Sequence, residues 1–407
     1  MTPVVRAVDS PHELRRGRWF GGRRPVAGGS VWPGPRQELL LKAALLEGDA
    51  ARRAWLEWAD GADLGRVEGR SAKLLALAHR NLLAQGVHDP RLERLKPYRR
   101  RTWGRNQQIF QRLNRALGVL HASGIETLVV KGAALVPCYY RDASARGMGD
   151  FDVLVREDRF QEAYEALRES GWSSRYWLPE HFDTRFEHAI ALFDADGYSI
   201  DLHCHLLMAC CGRGADDPFW EASVPATIAG VETRTLCAAD HLIHACVHGM
   251  NWVNEAPLRW VADAVTVIRS APDGIDWEHL IRTSRQLRLT SPVVEPLEYL
   301  ARTFGVPIPP AVRDRLHAVP VTRADRQRFR LWTRNRRGRP VALFLHHYHM
   351  YARGVGEAGL AERVRSVPEY LRFWAHTDRL WRIPLRLGLK AWRVIGYRLG
   401  LYRYWDG

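Results

Sequence analysis

One stretch, residues 128–155, constrains the fold of this chain more than any other. An apolar strand leads through Lys131 and Gly132 into a short helical segment, and a second predicted strand carries Asp150 and Asp152. Because side chains alternate across a strand, carboxylates at positions i and i+2 face the same way. Two carboxylates held together favour a divalent cation between them. The pattern therefore predicts a strand–helix–strand unit with a Mg²⁺ site that handles a phosphate.

A third carboxylate, Asp201, lies in the apolar segment SIDLHCHL, where an unpaired charge would be costly. Three carboxylates on neighbouring strands meet the requirement of a two-metal phosphoryl or nucleotidyl transfer site. We therefore predict that Asp150, Asp152 and Asp201 are metal ligands and catalytic residues, with one or two Mg²⁺ ions. Asp201 would also help to deprotonate the acceptor.

Lys131, Gly132 and Arg146 are the predicted nucleotide-binding residues. A glycine between a strand and a helix lets the backbone approach a phosphate, and the N–H groups of the following turn bind anions. Lys131 and Arg146 would counter the charge of a triphosphate, where transition-state electrostatics matter most. A plain strand-to-helix turn and a solvated arginine are the alternative interpretations of these residues.

His203 and His205 follow Asp201 at two-residue spacing and would share one strand face with it. A D-x-H-x-H pattern could hold zinc or iron in a metal-dependent hydrolase. A hydrolase barrel would need eight strand–helix repeats, whereas this sequence has one short mixed region. The phosphate interpretation is therefore favoured, and it makes His203 and His205 acceptor-side candidates.

Three further histidines, His241, His244 and His248, recur at the spacing of one helical face. Asp263 follows on the next predicted helix. The stripe predicts either the lining of an acceptor pocket or a metal site, or else buried histidines that are satisfied by hydrogen bonds.

The order of the patterns predicts an α+β fold, in which a small mixed β-sheet core is flanked by helical regions. Strand-like alternation begins at Ile125, and an Asp-Gly turn near residue 196 predicts a hairpin. Helical periodicity dominates before and after this part of the chain. The predicted regions are a flexible arm (1–35), an N-terminal helical region (36–123), the α/β core (124–237), a helical bundle (238–320) and a basic, Trp-rich C-terminal helical region (321–407).

The formal net charge of +15 suits acidic partners such as nucleotides, nucleic acid or an anionic membrane, although an Arg-rich composition also follows from a GC-rich genome. For the basic C-terminal region, packing against the bundle is favoured over contact with nucleic acid or an anionic membrane.

The cysteines and the apolar segments bear on localisation. The chain has six cysteines without a C-x-x-C pair, and it lacks a signal-like segment and an apolar segment of 18 residues. These features predict a cytoplasmic protein.

Five motifs occur in the order VVKGAAL, YYRDASARGMGDFDVLV, GYSIDLHCHL, LIHACVHGMNW and PLRWVADAV. In combination they resemble the bacterial family of uncharacterised nucleotidyltransferases, a branch of the polymerase-beta-like nucleotidyltransferase superfamily, over about residues 113–268. The resemblance implies a small mixed sheet, a helical substrate region, Mg²⁺ and a nucleoside triphosphate. It also implies metal ligands at Asp150, Asp152 and Asp201 and the helix-turn signature at Gly132.

These observations together predict a Mg²⁺-dependent nucleotidyltransferase. It would move a nucleoside monophosphate, with AMP favoured, from a triphosphate to a hydroxyl or other nucleophile of an acceptor and release pyrophosphate. The acceptor could be a small molecule, a peptide, a sugar or a protein. Two alternatives stay open, namely a catalytically weak nucleotide- or RNA-binding protein on the same fold, and a metal-dependent hydrolase that uses Asp201, His203 and His205.

Overall fold

The computed structural model describes residues 31–176, 178, 182–250, 258–333, 340–356, 358–377 and 379–398. These residues form many α-helices and one mixed β-sheet of six strands, which confirms the predicted α+β class. None of the helices described is both long enough and apolar enough to cross a membrane.

The N-terminal part of the chain is helical, as its periodicity predicts. The longest helix, α5, buries the stripe of Ile109, Leu113, Leu117 and Leu120 and is followed by Gly124, whose φ of +66° suits a glycine. The helices are α1 (Pro35–Leu45), α2 (Gly48–Asp60), α3 (Gly69–Ala72), α4 (Leu75–Ala84) and α5 (Lys96–Ala122).

The predicted flexible arm falls largely on residues 1–30, which lie outside the described residues. At its end, however, Val31 is buried and the ring of Trp32 packs against the rings of Trp260 and Tyr299. These two residues therefore belong to the folded core, because an apolar residue and a large aromatic ring find partners on distant helices that sequence periodicity does not reveal.

The sheet has the strand order β3-β4-β2-β1-β6-β5. The two strands of the 128–155 stretch and the Asp-Gly hairpin form where the sequence predicts them. The pairs β2/β4 and β1/β6 are parallel, and the other three pairs are antiparallel. The strands are β1 (Thr127–Val130), β2 (Phe151–Val155), β3 (Ala189–Phe193), β4 (Ser199–His203), β5 (Val224–Ile228) and β6 (Val231–Thr235).

Three short helices lie between the strands, and a series of helices follows the sheet. Next to the first of them, residues 136–140 form a π-helical turn. The helices are α6 (Lys131–Leu135), α7 (Phe160–Glu169), α8 (Asp217–Glu221), α9 (Ala238–Met250), α10 (Arg259–Ser270), α11 (Trp277–Gln286), α12 (Thr290–Phe304), α13 (Pro310–Ala318), α14 (Arg323–Thr333), α15 (Pro340–Val355), α16 (Leu360–Ala375) and α17 (Ile383–Arg398).

The two faces of the sheet pack into different apolar cores. One core joins Val129 and Val153 to α5 and α7, and the other joins Leu128, Val130 and Leu154 to α9, α10 and the N-terminal helices. Because residues alternate across a strand, Asp152 shares the face of Leu154. The face that carries Asp152 is therefore the one covered by α9 and α10.

Register fixes which side chains meet on that face. Asp152 of β2 lies opposite Asp201 of β4 on one side and opposite Val130 of β1 on the other. Lys131 follows Val130 directly, so three strands bring one lysine and two aspartates to the same end of the sheet.

A partly buried carboxyl group just before β3, that of Glu187, gives a prediction about stability. Desolvation raises the pKa of Glu187 to about 7 from 4.5, so folding favours its neutral form. Stability is therefore lost as the pH rises from about 4.5 through 7. Glu187→Gln is expected to raise the free energy of unfolding at pH 8 by about 1–3 kcal/mol, and to change it little at pH 4.5. Urea unfolding at both pH values measures this difference, and Glu57→Gln, which changes an exposed glutamate, is the control. Equal effects of Glu187→Gln at both pH values would contradict the prediction.

Candidate active site

Asp152 is the centre of a buried group of charged side chains. Its carboxylate is 2% exposed, accepts a hydrogen bond of 2.5 Å from Lys131 Nζ, and lies 3.1 Å from His203 Nε2. Burial alone would raise the pKa of Asp152, but Lys131 and His203 lower it well below its usual range. Asp152 is therefore held as a carboxylate at neutral pH.

Asp201 completes the group from the neighbouring strand. Ligand atoms of Asp152, Asp201 and His203 all lie within 4.8 Å of one another, which is close enough for one metal ion to be shared. Desolvation and the charges of Asp152 and Asp150 raise the pKa of Asp201 to about 6. Burial and like charges both disfavour the ionised form of a carboxyl group, and Lys131 and His203 offset only part of this effect.

Asp150 is not part of this group. It is exposed and lies in the turn before β2, which begins at Phe151, so the alternation expected of a strand does not apply to it. Its charge nevertheless acts on Lys131 and Asp201. The structure thus brings together two of the three predicted carboxylates, and His203 takes the third place.

The two predicted acceptor-side histidines have different surroundings. His203 Nδ1 lies 3.1 Å from the carbonyl oxygen of His205, to which it donates, and this leaves Nε2 facing Asp152. His205 lies beyond the end of β4, with its Nδ1 2.6 Å from Asp216 Oδ2 and its Nε2 2.9 Å from the carbonyl oxygen of Thr184. Since both of its ring nitrogens are engaged elsewhere, the described residues do not bring Asp201, His203 and His205 together as the hydrolase alternative requires.

Lys131 reaches Asp152 from a constrained backbone. Its φ of +52° is in the left-handed region, which costs a residue other than glycine about 1–3 kcal/mol. Burial opposes the charge on Lys131, whereas Asp152 and Asp201 raise its pKa. The structure therefore keeps an unfavourable backbone conformation at the residue that pairs with the central carboxylate.

Gly132 has a packing role in the structure. A Cβ added at this position would meet the guanidinium of Arg146 and the side chain of Met148. A glycine is therefore required for Arg146 to pass beside the strand-to-helix turn. Its predicted contact with a phosphate stays a prediction.

Arg146 lies in a buried ion pair with Asp263 of α10. Its Nε and Nη2 each donate a hydrogen bond of 2.8 Å to a different oxygen of Asp263, and the Tyr140 hydroxyl donates a third of 2.8 Å. Burial opposes the charge of Arg146, but Asp263 raises its pKa. This pair joins the turn before β2 to the helical region, so Arg146 positions the site, and its contact with a triphosphate remains a prediction.

Histidines of α9 and the loop before β3 surround the group on its covered face. The ring centroids of His188 and His203 lie 5.6 Å apart, and those of His244 and His248 lie 5.3 Å apart. Burial lowers the pKa of His188, His244 and His248, and the charge of Lys131 lowers all three further. These rings are therefore neutral, and the buried His244 Nε2 has no hydrogen-bond partner among the residues described.

Two cations near the site were not identified from the sequence. Arg259, at the start of α10, donates a hydrogen bond of 2.6 Å to the carbonyl oxygen of Gly147, and its buried Nε lacks a partner within the described part of the chain. Desolvation and the charge of Arg259 lower the pKa of Lys73, which Asp150 opposes. Arg259 stands in the motif PLRWVADAV, but the motif alone does not assign it to the site. Lys73 lies between α3 and α4, about 80 residues before Asp152, and no motif marks it.

Comparison with known protein families identifies the family of the chain. A family model described as uncharacterised nucleotidyltransferase matches residues 69–305, more than half of the chain, and covers the whole sheet together with Lys73 and Arg259. No curated protein matches the chain. The chain therefore belongs to the family of uncharacterised nucleotidyltransferases, enzymes that transfer phosphorus-containing groups.

Proposed function

We propose that this protein transfers AMP from ATP to a hydroxyl or other nucleophile of an acceptor, with Mg²⁺ as cofactor and pyrophosphate as the leaving group. One observation carries the proposal. The carboxylates of Asp152 and Asp201 lie opposite each other on β2 and β4, beside the amino group of Lys131. Buried paired carboxylates next to cations suit a reaction in which metal-bound phosphates react.

The carboxylates of Asp152 and Asp201 are ligands that suit a divalent cation. Asp201 is held beside two other carboxylates, and a cation would stabilise its ionised form. Asp152 and Asp201 would hold Mg²⁺, with His203 as a neighbour and Asp150 as a proposed ligand of a second ion at the more exposed edge. When bound, Mg²⁺ neutralises charge on the phosphates and orients them.

The side chains of the protein have separate roles in this proposal. Lys131 keeps Asp152 ionised and in place through their hydrogen bond. Asp201 would complete the metal site from β4 and help to deprotonate the acceptor nucleophile. The neutral rings of His244 and His248 would line the acceptor pocket and limit the access of water.

Two cations near Asp150, Lys73 and Arg259, suit the charge of a triphosphate. Arg259 presents a buried donor without a partner among the described residues, and Lys73 carries a positive charge that Arg259 disfavours. Two cations in one another's field are stabilised by an anion between them. Lys73 and Arg259 would therefore bind the phosphates, and the ion pair of Arg146 with Asp263 would hold the turn that carries Asp150.

Removing these charges is expected to weaken ATP binding. Lys73→Met should raise the KM for ATP about 10-fold and Arg259→Met about 10- to 100-fold, since a charge-assisted hydrogen bond contributes about 1.5–3 kcal/mol. Steady-state kinetics with varied ATP measure both values. The exposed Lys96→Met is the control and should keep the KM of the wild type. Unchanged KM values in both site variants would contradict this assignment of the phosphate side.

A nucleotide panel tests the proposed reaction itself. The protein is incubated with ATP, GTP, CTP or UTP and an extract of small molecules and proteins as the pool of acceptors, and pyrophosphate is measured with and without Mg²⁺. We expect release that depends on Mg²⁺ and is fastest with ATP. ATP binding without any release of pyrophosphate would favour a nucleotide-binding protein on the same fold.

A further inference from the structure

The C-terminal helix α17 and the 3₁₀ turn before it (Leu380–Arg382) expose apolar side chains that the transfer reaction does not use. Trp381 is 68% exposed and Leu385 is 63% exposed, and Leu380, Leu389 and Trp392 are exposed with them. Single exposed apolar residues are common on proteins, whereas a contiguous group marks an interaction site.

The exposed residues of α17 form one stripe. Leu385, Leu389 and Trp392 follow at spacings of four and three, so they lie above one another on one side of the helix. Ile383 is buried and Leu387 is half-buried, and these two residues lie on the opposite side. The helix therefore packs on the protein with one apolar face and presents a second one outward. The expectation that its apolar face simply packs back on the bundle does not account for this second face.

Basic side chains accompany the stripe. Residues 379–398 contain six arginines and lysines and no aspartate or glutamate. Arg379 and Arg386 are exposed, and the guanidinium of Arg382 lies 4.9 Å from the centre of the Trp381 ring. An apolar stripe bordered by long basic side chains is the pattern of a helix that lies in the interface of an anionic membrane.

We propose that residues 380–392 dock on the surface of an anionic lipid bilayer. Leu385, Leu389 and Trp392 would enter the boundary of the acyl chains, Trp381 would lie at headgroup level, and the arginines would contact lipid phosphates. Two more helices expose apolar stripes, α16, which packs on α17, and α15, which packs on α16. These are Val341, Phe344 and Tyr348 on α15 and Leu360, Val364 and Val367 on α16.

Charge and side-chain type favour lipid over other partners. Leu385 and Leu389 form the middle of the stripe, and leucine cannot stack on bases as aromatic rings do, so lipid is favoured over nucleic acid. A second copy would bring another helix with the same positive charge. Residues 1–30 of the chain itself carry six arginines and only two acidic residues, so this segment is also positively charged and does not complement the basic surface of α17.

Vesicle sedimentation with the full-length protein tests the proposal. We expect binding to vesicles of phosphatidylglycerol and phosphatidylcholine in equal parts, and little binding to phosphatidylcholine alone. The double variant Leu385→Ser with Leu389→Ser should bind about 10- to 100-fold more weakly, because two leucines no longer leave water. Arg379→Gln with Arg386→Gln should weaken binding by about 10-fold and reduce its dependence on salt. Leu83→Ser, which changes an exposed leucine of α4, should bind as the wild type does.

Circular dichroism and release of pyrophosphate establish that the variants are folded, since none of these positions contacts the candidate active site in the described structure. Lack of binding to anionic vesicles by the wild type would overturn the proposal, and so would undiminished binding by the double leucine variant. Tighter binding to single-stranded RNA than to vesicles would identify RNA as the partner of this surface. A dimer in sedimentation velocity that the double leucine variant does not form would identify a second copy of the chain as the partner.

Discussion

Asp152→Asn is expected to lower kcat for nucleotidyl transfer by at least about 10³-fold. Asp152 is the carboxylate that Lys131 and His203 both contact and that lies opposite Asp201. An amide keeps the size of the side chain but removes the charge that a metal ion and Lys131 require. Release of pyrophosphate under saturating ATP and Mg²⁺ measures the effect.

The control for this variant is Asp158→Asn, which changes an exposed aspartate just after β2 and should leave kcat within about two-fold of the wild type. Thermal unfolding of both variants separates lost chemistry from lost structure. If folded Asp152→Asn protein retained activity close to that of the wild type, the reaction would not depend on this carboxylate and the proposed site would be wrong.

Asp263→Leu is expected to lower the free energy of unfolding by about 3–5 kcal/mol, the largest stability effect that we predict. The change leaves the guanidinium of Arg146 buried without its partner and removes the acceptor of the Tyr140 hydroxyl. Because an unpaired buried charge is the main cost, Arg146→Met combined with Asp263→Leu should recover much of the lost stability. Urea unfolding of the single and double variants measures the coupling.

The exposed pair of Arg315 and Glu278 serves as the matched control. Glu278→Gln breaks an ion pair that is open to water, where the loss is typically about 0–1 kcal/mol. If breaking the buried pair and breaking the exposed pair lowered the free energy of unfolding equally, burial would not be what makes the Arg146–Asp263 pair important. If Asp263→Leu and the double variant lowered the free energy of unfolding equally, lost packing would be the main cost and the unpaired charge would not.

The local parts of the fold follow from short sequence patterns. β-branched residues and alternation predict β1 and β2, and the Asp-Gly turn predicts the hairpin of β3 and β4, because these signals act over a few residues. Asp201 stands in an apolar strand, and the cost of burying its charge is what predicts a partner for it. The structure brings it opposite Asp152.

The rest of the site depends on where strands begin and on contacts far apart in the sequence. Asp150 precedes β2 by one residue, and His205 lies two residues past the end of β4, so the alternation argument fails for both. Prediction of strand ends is less certain than prediction of strands. The charge of Arg259 acts on Lys73 although almost 190 residues separate them, and no periodic pattern predicts that they lie near each other.

Positional labelling of ATP tests the central claim most directly. The protein is given ATP labelled at the α-phosphate or at the γ-phosphate, together with Mg²⁺ and the pool of acceptors, and Asp152→Asn provides the background. We predict that the α label becomes attached to an acceptor while the γ label appears in pyrophosphate. Transfer of the γ label to an acceptor, or its release as orthophosphate alone, would contradict nucleotidyl transfer at this site.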